Sequence, residues 1–258
     1  LYSLGNTLFW NEVLIMRKFY CNEFTTPAQP VPESAGETSD DEQQNRFTEQ
    51  DGSVTINRNG NYIHCLTIIG QIEGHYLLPS NSKTTKYEHI IPRIVMVEEN
   101  PDIKGLLLIL NTVGGDIEAG LAIAELIAGM TKPTASLVLG GGHSIGVPLS
   151  VAAKQSYIVQ SAAMTIHPIR LNGVVLGVEQ TLDYFNKMEQ RVSRFVCDNS
   201  KIKPERFREL MKKTDELVLD MGTVLSGEEA VKEGIIDFVG NLSTAISGIC
   251  EQISLREN

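Results

Sequence analysis

Short runs of apolar residues, filled at odd and even positions alike, punctuate the chain from Tyr62 onward. Tyr62 to Gly70 (YIHCLTIIG), Gly105 to Asn111 (GLLLILN), Ala135 to Gly140 (ASLVLG) and Ser156 to Gln160 (SYIVQ) each predict a strand. Ala163 to Ile166 and Ile235 to Val239 complete the set. A strand with one wet face alternates apolar and polar residues. These runs do not alternate, so both of their faces are expected to be covered. The pattern predicts an α/β fold with a mainly parallel sheet between helices.

The helical patterns fall between the strands. Tyr87 to Glu99 is amphipathic, with Pro92 expected near a kink, and Glu118 to Met130 is apolar on most faces. Ile145 to Ala153 follows a serine directly, with Pro148 where a first helical turn tolerates it. Val175 to Val196 is the longest, with Leu182, Phe185, Val192 and Phe195 at helical spacing. Lys203-Pro204-Glu205 opens another helix. Ser226 to Ala230 reads as an N-cap with a capping box.

The first part of the chain differs. Residues 22–52 hold Pro27, Pro30, Pro32 and an acidic cluster of Glu33, Glu37, Asp40, Asp41 and Glu42, with few apolar residues. Such a stretch buries too little surface to offset its ordering entropy. Residues 1–52 are therefore expected to be a disordered or loosely ordered extension, and 53–258 the folded domain. The apolar stretch Leu8 to Met16 precedes the basic pair Arg17-Lys18, the reverse of a secretory signal. Met16 is expected to be the natural start, an alternative start codon at Leu1 being the other reading.

Composition narrows the classes. Of 258 residues 42% are hydrophobic and 21% charged, an ordinary globular mix. A net charge of −10 argues against binding nucleic acid through its phosphates. No run approaches the ~20 apolar residues of a membrane-spanning helix. Cys21, Cys65, Cys197 and Cys250 share no CxxC spacing, so neither a zinc site nor a redox motif is expected. Reduced thiols in a cytoplasmic setting, with no metal and no cofactor, is the expectation.

The chemistry lies in three segments in a fixed order. Asn111-Thr112-Val113-Gly114-Gly115-Asp116 follows one strand, and its glycines let a backbone approach a ligand closely. Gly140-Gly141-Gly142-His143-Ser144-Ile145-Gly146 places a serine on a sharp strand-to-helix turn. Met164-Thr165-Ile166-His167-Pro168 puts a histidine at a strand end, 23 residues after the serine. Each alone has an ordinary structural explanation. Together they supply oxyanion donors, a nucleophile and a general base. His143, adjacent to Ser144, is a minor alternative base. His64, His75 and His89 read as structural or surface residues.

From about Tyr62 to Gly240 the chain resembles the ClpP family of serine peptidases. NTVGGDIEAGLAIAELI resembles that family's N-S-P-G-G-S-V-x-A-G-L-A-I-Y-D stretch, and GGGHSIGVPLSVAAK its G-x-A-A-S-M-G-x-x-L-L nucleophile turn. MTIHPI resembles its M-I-H-Q-P segment and VLSGEEAVKEGIID its M-S-A-x-E-A-x-E-Y-G-L-I-D. In its details the chain most resembles the family's divergent translocation-enhancing (TepA) branch, which also carries a longer N-terminal extension. The resemblance implies a ClpP/crotonase-like fold, a repeated β-β-α superhelix with a protruding handle helix at Val175 to Val196. It implies Ser144 as nucleophile, His167 as base, and the N–H groups of Gly115 and Ile145 as oxyanion hole. It also implies homo-oligomeric rings, peptide or unfolded-protein substrates, and an ATP-driven unfoldase as partner.

Three departures matter. The family carries an Asp four residues before the Ser that is Ser226 here, and that position is Gly222. Asp220 stands two residues earlier and Asp215 earlier still. Asp220 replaces the carboxylate through a shifted loop, or the site is a Ser–His dyad, or the enzyme is feeble. Ile169 to Gly173 replaces the family's glycine-rich strand beside the substrate groove, and Tyr76 to Lys86 is an insert on the expected docking surface.

Two functions of different classes follow: a serine endopeptidase working through an acyl-enzyme, or a non-catalytic ClpP-like assembly or translocation factor. Ser144, His167 and the glycine turns favour the first; Gly222 favours the second. A crotonase acting on acyl-CoA shares the glycine-rich oxyanion hole but has no need of this Ser–His order.

Overall fold

The computed structural model describes residues 52–170, 177–214 and 221–257. The N-terminal extension, Cys21, the expected first residues of the long helix at Val175, and both Asp215 and Asp220 lie outside the described residues.

Among the described residues nine strands form the sheet: β1 (Ser53–Arg58), β2 (Asn61–Glu73), β3 (Thr84–Lys86), β4 (Ile103–Gly115), β5 (Thr134–Gly142), β6 (Gln155–Ile158), β7 (Ala163–Ile166), β8 (Thr223–Ser226) and β9 (Phe238–Val239). The main order is β1-β2-β4-β5-β6-β9, with β3 on β2 and with β7 between β5 and β8. β2, β4, β5, β6 and β9 run parallel, while β1–β2 and β7–β8 are antiparallel. The helices are α1 (Tyr87–Glu99), α2 (Ile117–Ala128), α3 (Gly146–Val151), α4 (Val178–Asp198), α5 (Pro204–Met211), α6 (Gly227–Lys232) and α7 (Leu242–Glu257).

The two-sided apolar strands serve two cores. Leu66, Ile68, Leu106, Leu108 and Leu110 join one cluster with residues of α1 and α2. Their neighbours of opposite parity, Ile63, Cys65, Leu107, Ala135 and Leu137, join a second cluster. Helix α7 closes that second face with Ala245, Ile246, Ile249 and Ile253, spaced to lie on one side of a helix. β2, β4, β5 and β6 thus bury residues on both faces, as their composition demands.

The expected strand Ile235–Val239 shortens to Phe238–Val239. The Ile235 and Ile236 amides donate to the Ala230 carbonyl at 3.0 and 3.2 Å, so these residues close the turn after α6 and bury their side chains there. Ser226 caps α6 with the expected box: its amide donates to a Glu229 carboxylate oxygen at 2.8 Å, and its hydroxyl accepts from the Glu229 amide. Pro92 sits inside α1.

The apolar face expected on the long helix divides in two. In its C-terminal half Met188, Phe195 and Val196 are buried and Val192 packs on the chain's own core. In its N-terminal half Val178, Leu182 and Tyr184 are 77%, 59% and 54% exposed. Arg191 anchors the buried half to α2, donating to both carboxylate oxygens of Glu118 at 2.7 and 3.0 Å.

Candidate active site

Strand β5 ends at Gly142 and α3 starts at Gly146, which leaves three residues to turn the chain. Ser144 takes a φ of +58°, left-handed backbone that side chains other than glycine's seldom adopt. Such a conformation persists where its surroundings over-determine it. Here the His143 amide donates to the Thr112 carbonyl at 3.2 Å and the Ser144 amide to the Thr165 carbonyl at 2.8 Å. The amides of Gly146 and Val147 donate back to the carbonyls of His143 and Ser144 at 2.8 and 3.0 Å.

The glycine turn packs against this one. A Cβ on Gly114 would stand 2.7 Å from the Ser144 Cβ, so only glycine lets the two turns approach. Thr112 braces the approach, donating its hydroxyl to the Gly70 carbonyl at 2.7 Å and accepting from the Gly114 amide at 3.0 Å. The Asn111 Oδ1 accepts from the Gly141 amide at 3.0 Å.

Ser144, His167, Gly115 and Ile145 line one cavity of about 180 Å³. The rest of its wall is largely apolar, with Ile117, Val147, Ile166, Val192, Phe207 and Met211, and Arg170 adds the cation. Among the described residues the Ile145 N–H has no hydrogen-bond acceptor. The His167 Nδ1 lies 2.7 Å from the Pro168 carbonyl oxygen.

His143 does not line the cavity. Its Nδ1 is 2.8 Å from the Thr165 hydroxyl, and burial, with the charge of nearby His167, holds its pKa below the ordinary histidine value. It braces the turn. His64 is buried in β2, and the His75 ring meets the Tyr87 ring edge-on, away from the cavity. Asp220, expected as the third member, lies outside the described residues. Gly222, at the position matching the family's Asp, has a φ of +137°.

Four residues that position the site were not singled out from the sequence: Asn111, Thr112, Thr165 and Pro168. Pro168 acts through its carbonyl oxygen, and Thr165 through its carbonyl as well as its hydroxyl; a carbonyl carries no residue signature. Asn111 and Thr112 act through side chains, but the residue types alone do not say that they brace a turn. Among the described residues no group of three His, Cys, Asp or Glu side chains is placed to hold a metal ion.

A turn-borne serine, a histidine and an unpaired N–H around one apolar cavity is what acyl transfer requires. The Clp protease family model matches residues 60–242. The chain is 56% identical over 195 residues to the translocation-enhancing protein TepA of Halalkalibacterium halodurans, covering 76% of each chain. It is 25% identical over 134 residues to the ATP-dependent Clp protease proteolytic subunit 1 of Chlamydia abortus, covering 51% of this chain and 68% of that one. A point mutant of ClpP1 from Listeria monocytogenes superimposes with a TM-score of 0.56 at 18% identity, over 72% of this chain and 94% of that one, so the fold is ClpP's. On the match across residues 60–242 and the TepA likeness, the chain belongs to the Clp protease family.

Proposed function

We propose that the protein is a ClpP-like serine endopeptidase that hydrolyses short or unfolded peptides through an acyl-enzyme. The observation that carries this reading is the convergence of Ser144, in its left-handed turn, with His167, Gly115 and Ile145 on one cavity. The Ser144 oxygen attacks the peptide carbonyl carbon while its proton passes to the His167 Nε2. The amides of Gly115 and Ile145 hold the oxyanion. The C–N bond breaks as that proton moves to the departing amine. Water then attacks the ester, giving a proton to Nε2, and the Ser144 oxygen leaves and takes the proton back. We place the activity in residues 53–258, with 1–52 an extension, and the setting in the cytoplasm. The subunits form homo-oligomeric rings through the exposed half of α4, and an ATP-driven unfoldase is the partner class suited to such a ring. The likeness to TepA supports a link to protein export or quality control.

A fluorophosphonate probe tests the reading. Covalent labelling at Ser144, absent in Ser144→Ala, is expected together with peptide hydrolysis. A wild-type protein left unlabelled under conditions that label a ClpP control would instead support a non-catalytic assembly or translocation factor, the reading that Gly222 favours.

A further inference from the structure

His167 is gripped by its own main chain. Its Nδ1 stands 2.7 Å from the carbonyl oxygen of the next residue, Pro168. A carbonyl oxygen only accepts, so this contact is a hydrogen bond when Nδ1 carries the ring proton. The lone pair is then on Nε2, the state that a serine nucleophile needs in its base. The His-Pro pair suits the task. Proline fixes its own φ near −65° and restricts the preceding residue to extended backbone, so few dihedrals remain to be set.

The usual place for a carboxylate is taken by something that cannot supply one. The β7–β8 ladder ends with Ile166 opposite Thr223. One step further along each chain stand His167 and Gly222. At a φ of +137° Gly222 has backbone that strains any side chain. Among the described residues, none that lines the cavity with His167 is Asp or Glu.

We infer, on the serine-peptidase reading above, that the Pro168 carbonyl does the orienting work of the missing carboxylate. The site is a Ser144–His167 pair completed by main chain, and Pro168 is a positioning residue. During attack the proton from Ser144 arrives on Nε2 while Nδ1–H stays on the ring, bonded to the carbonyl. A neutral acceptor fixes the tautomer but does not neutralise the imidazolium. Turnover is therefore slower than with a carboxylate, by a factor on the order of 10²–10⁴ if the whole charge effect is lost. Asp220 and Asp215 are then dispensable.

Two measurements on the full chain decide it. In histidine-¹⁵N-labelled protein at pH 8, long-range ¹H–¹⁵N correlations should show His167 protonated at Nδ1 and bare at Nε2, with His167→Gln identifying the signals. The Asp215→Asn/Asp220→Asn double variant should show the same pattern. Fluorophosphonate labelling of Ser144 should proceed in the double variant within about twofold of the wild-type rate. Pro168→Gly, which frees the carbonyl, should slow it at least about tenfold with mass and melting unchanged. An Nε2–H tautomer, or a loss beyond about 100-fold in the double variant, would overturn the inference. If wild-type Ser144 takes no label, the peptidase reading fails by itself. The tautomer in the double variant then still decides what holds His167: Nδ1–H keeps the carbonyl, and Nε2–H removes it.

Discussion

The Ser144 amide donates to the Thr165 carbonyl at 2.8 Å, two residues before His167 in the chain. This bond ties the Ser144 turn to the strand that leads into His167, so neither shifts alone. The His143 ring adds a contact to the Thr165 hydroxyl at 2.8 Å, and one threonine is thereby held from both sides of the turn. The separation of Ser144 and His167 is thus governed by β5 and β7, neighbours in the sheet.

On the peptidase reading, Ser144 holds left-handed backbone for the sake of its hydroxyl, at the expense of stability. Ser144→Ala should abolish peptide hydrolysis with assembly intact, because it removes the oxygen that attacks. Ser144→Gly should abolish it too, yet be more stable than Ser144→Ala by about 1 kcal/mol, since glycine relieves the strain at a φ of +58°. Chemical denaturation of the two variants measures the difference. Equal midpoints would show that the turn holds no strain, and wild-type turnover in either would remove Ser144 from the reaction.

The sequence made the parallel strands and the close approach of the two glycine-rich turns legible for the same reason. GLLLILN is apolar at consecutive positions, and a strand buried on both faces has no other way to be written. The glycines at 114 and 115 and the turn at Ser144 are local necessities of close backbone approach. β1 and β8 were not legible: SVTINR and TVLS are short, half-polar edge segments whose pairing partners decide their state. Helix α7 was missed because LSTAISGICEQISLRE mixes small and polar residues, and its apolar stripe gains meaning only against the second sheet face. The hold on His167 was hidden in a further way. The group beside Nδ1 is a carbonyl, which any residue possesses, and not an Asp side chain.

The long helix offers half of an apolar face. Val178 and Leu182 lie one turn apart, at 77% and 59% exposure, and the Tyr184 ring meets the Phe185 ring edge-on at 5.5 Å. Such a face on an isolated subunit calls for a partner surface. Leu182→Glu should lower the mass measured by light scattering, because a carboxylate cannot be buried unpaired in a subunit contact. Phe195→Glu, at a buried position, should instead impair folding. An unchanged mass in folded Leu182→Glu would place the contact between subunits elsewhere.

On the peptidase reading, the cavity beside Ser144 predicts substrate preference. Its volume is about 180 Å³, and an apolar cavity of about 150 Å³ is enough for a benzene-sized group. Ile117, Val147, Ile166, Phe207 and Met211 line it. Fluorogenic peptides with Leu, Met or Phe before the scissile bond should exceed those with Asp or Lys at least tenfold in kcat/KM, a difference of about 1.4 kcal/mol or more. A preference for Asp would mean that Arg170, and not the apolar wall, selects the substrate.

Acid should loosen the fold at a site far from the chemistry. His64 lies in β2 at 2% exposure, its Nδ1 2.9 Å from the Thr55 hydroxyl and its Nε2 buried with no hydrogen-bond partner among the described residues. Burial, with the charge of Arg93 beside it, lowers its pKa from 6.5 to about 4. The folded chain therefore binds fewer protons than the unfolded chain between those values, and stability rises with pH across that window. The contribution is complete above about pH 6.5 and is lost as pH falls towards 4, a total on the order of 3 kcal/mol. Denaturant titrations of wild type at pH 7 and pH 4.5 should differ by about 2–3 kcal/mol more than those of His64→Gln, whose side chain cannot titrate. The comparison cancels the carboxylates, which titrate alike in both proteins. Equal losses in the two would show that His64 is already free to take a proton in the folded state.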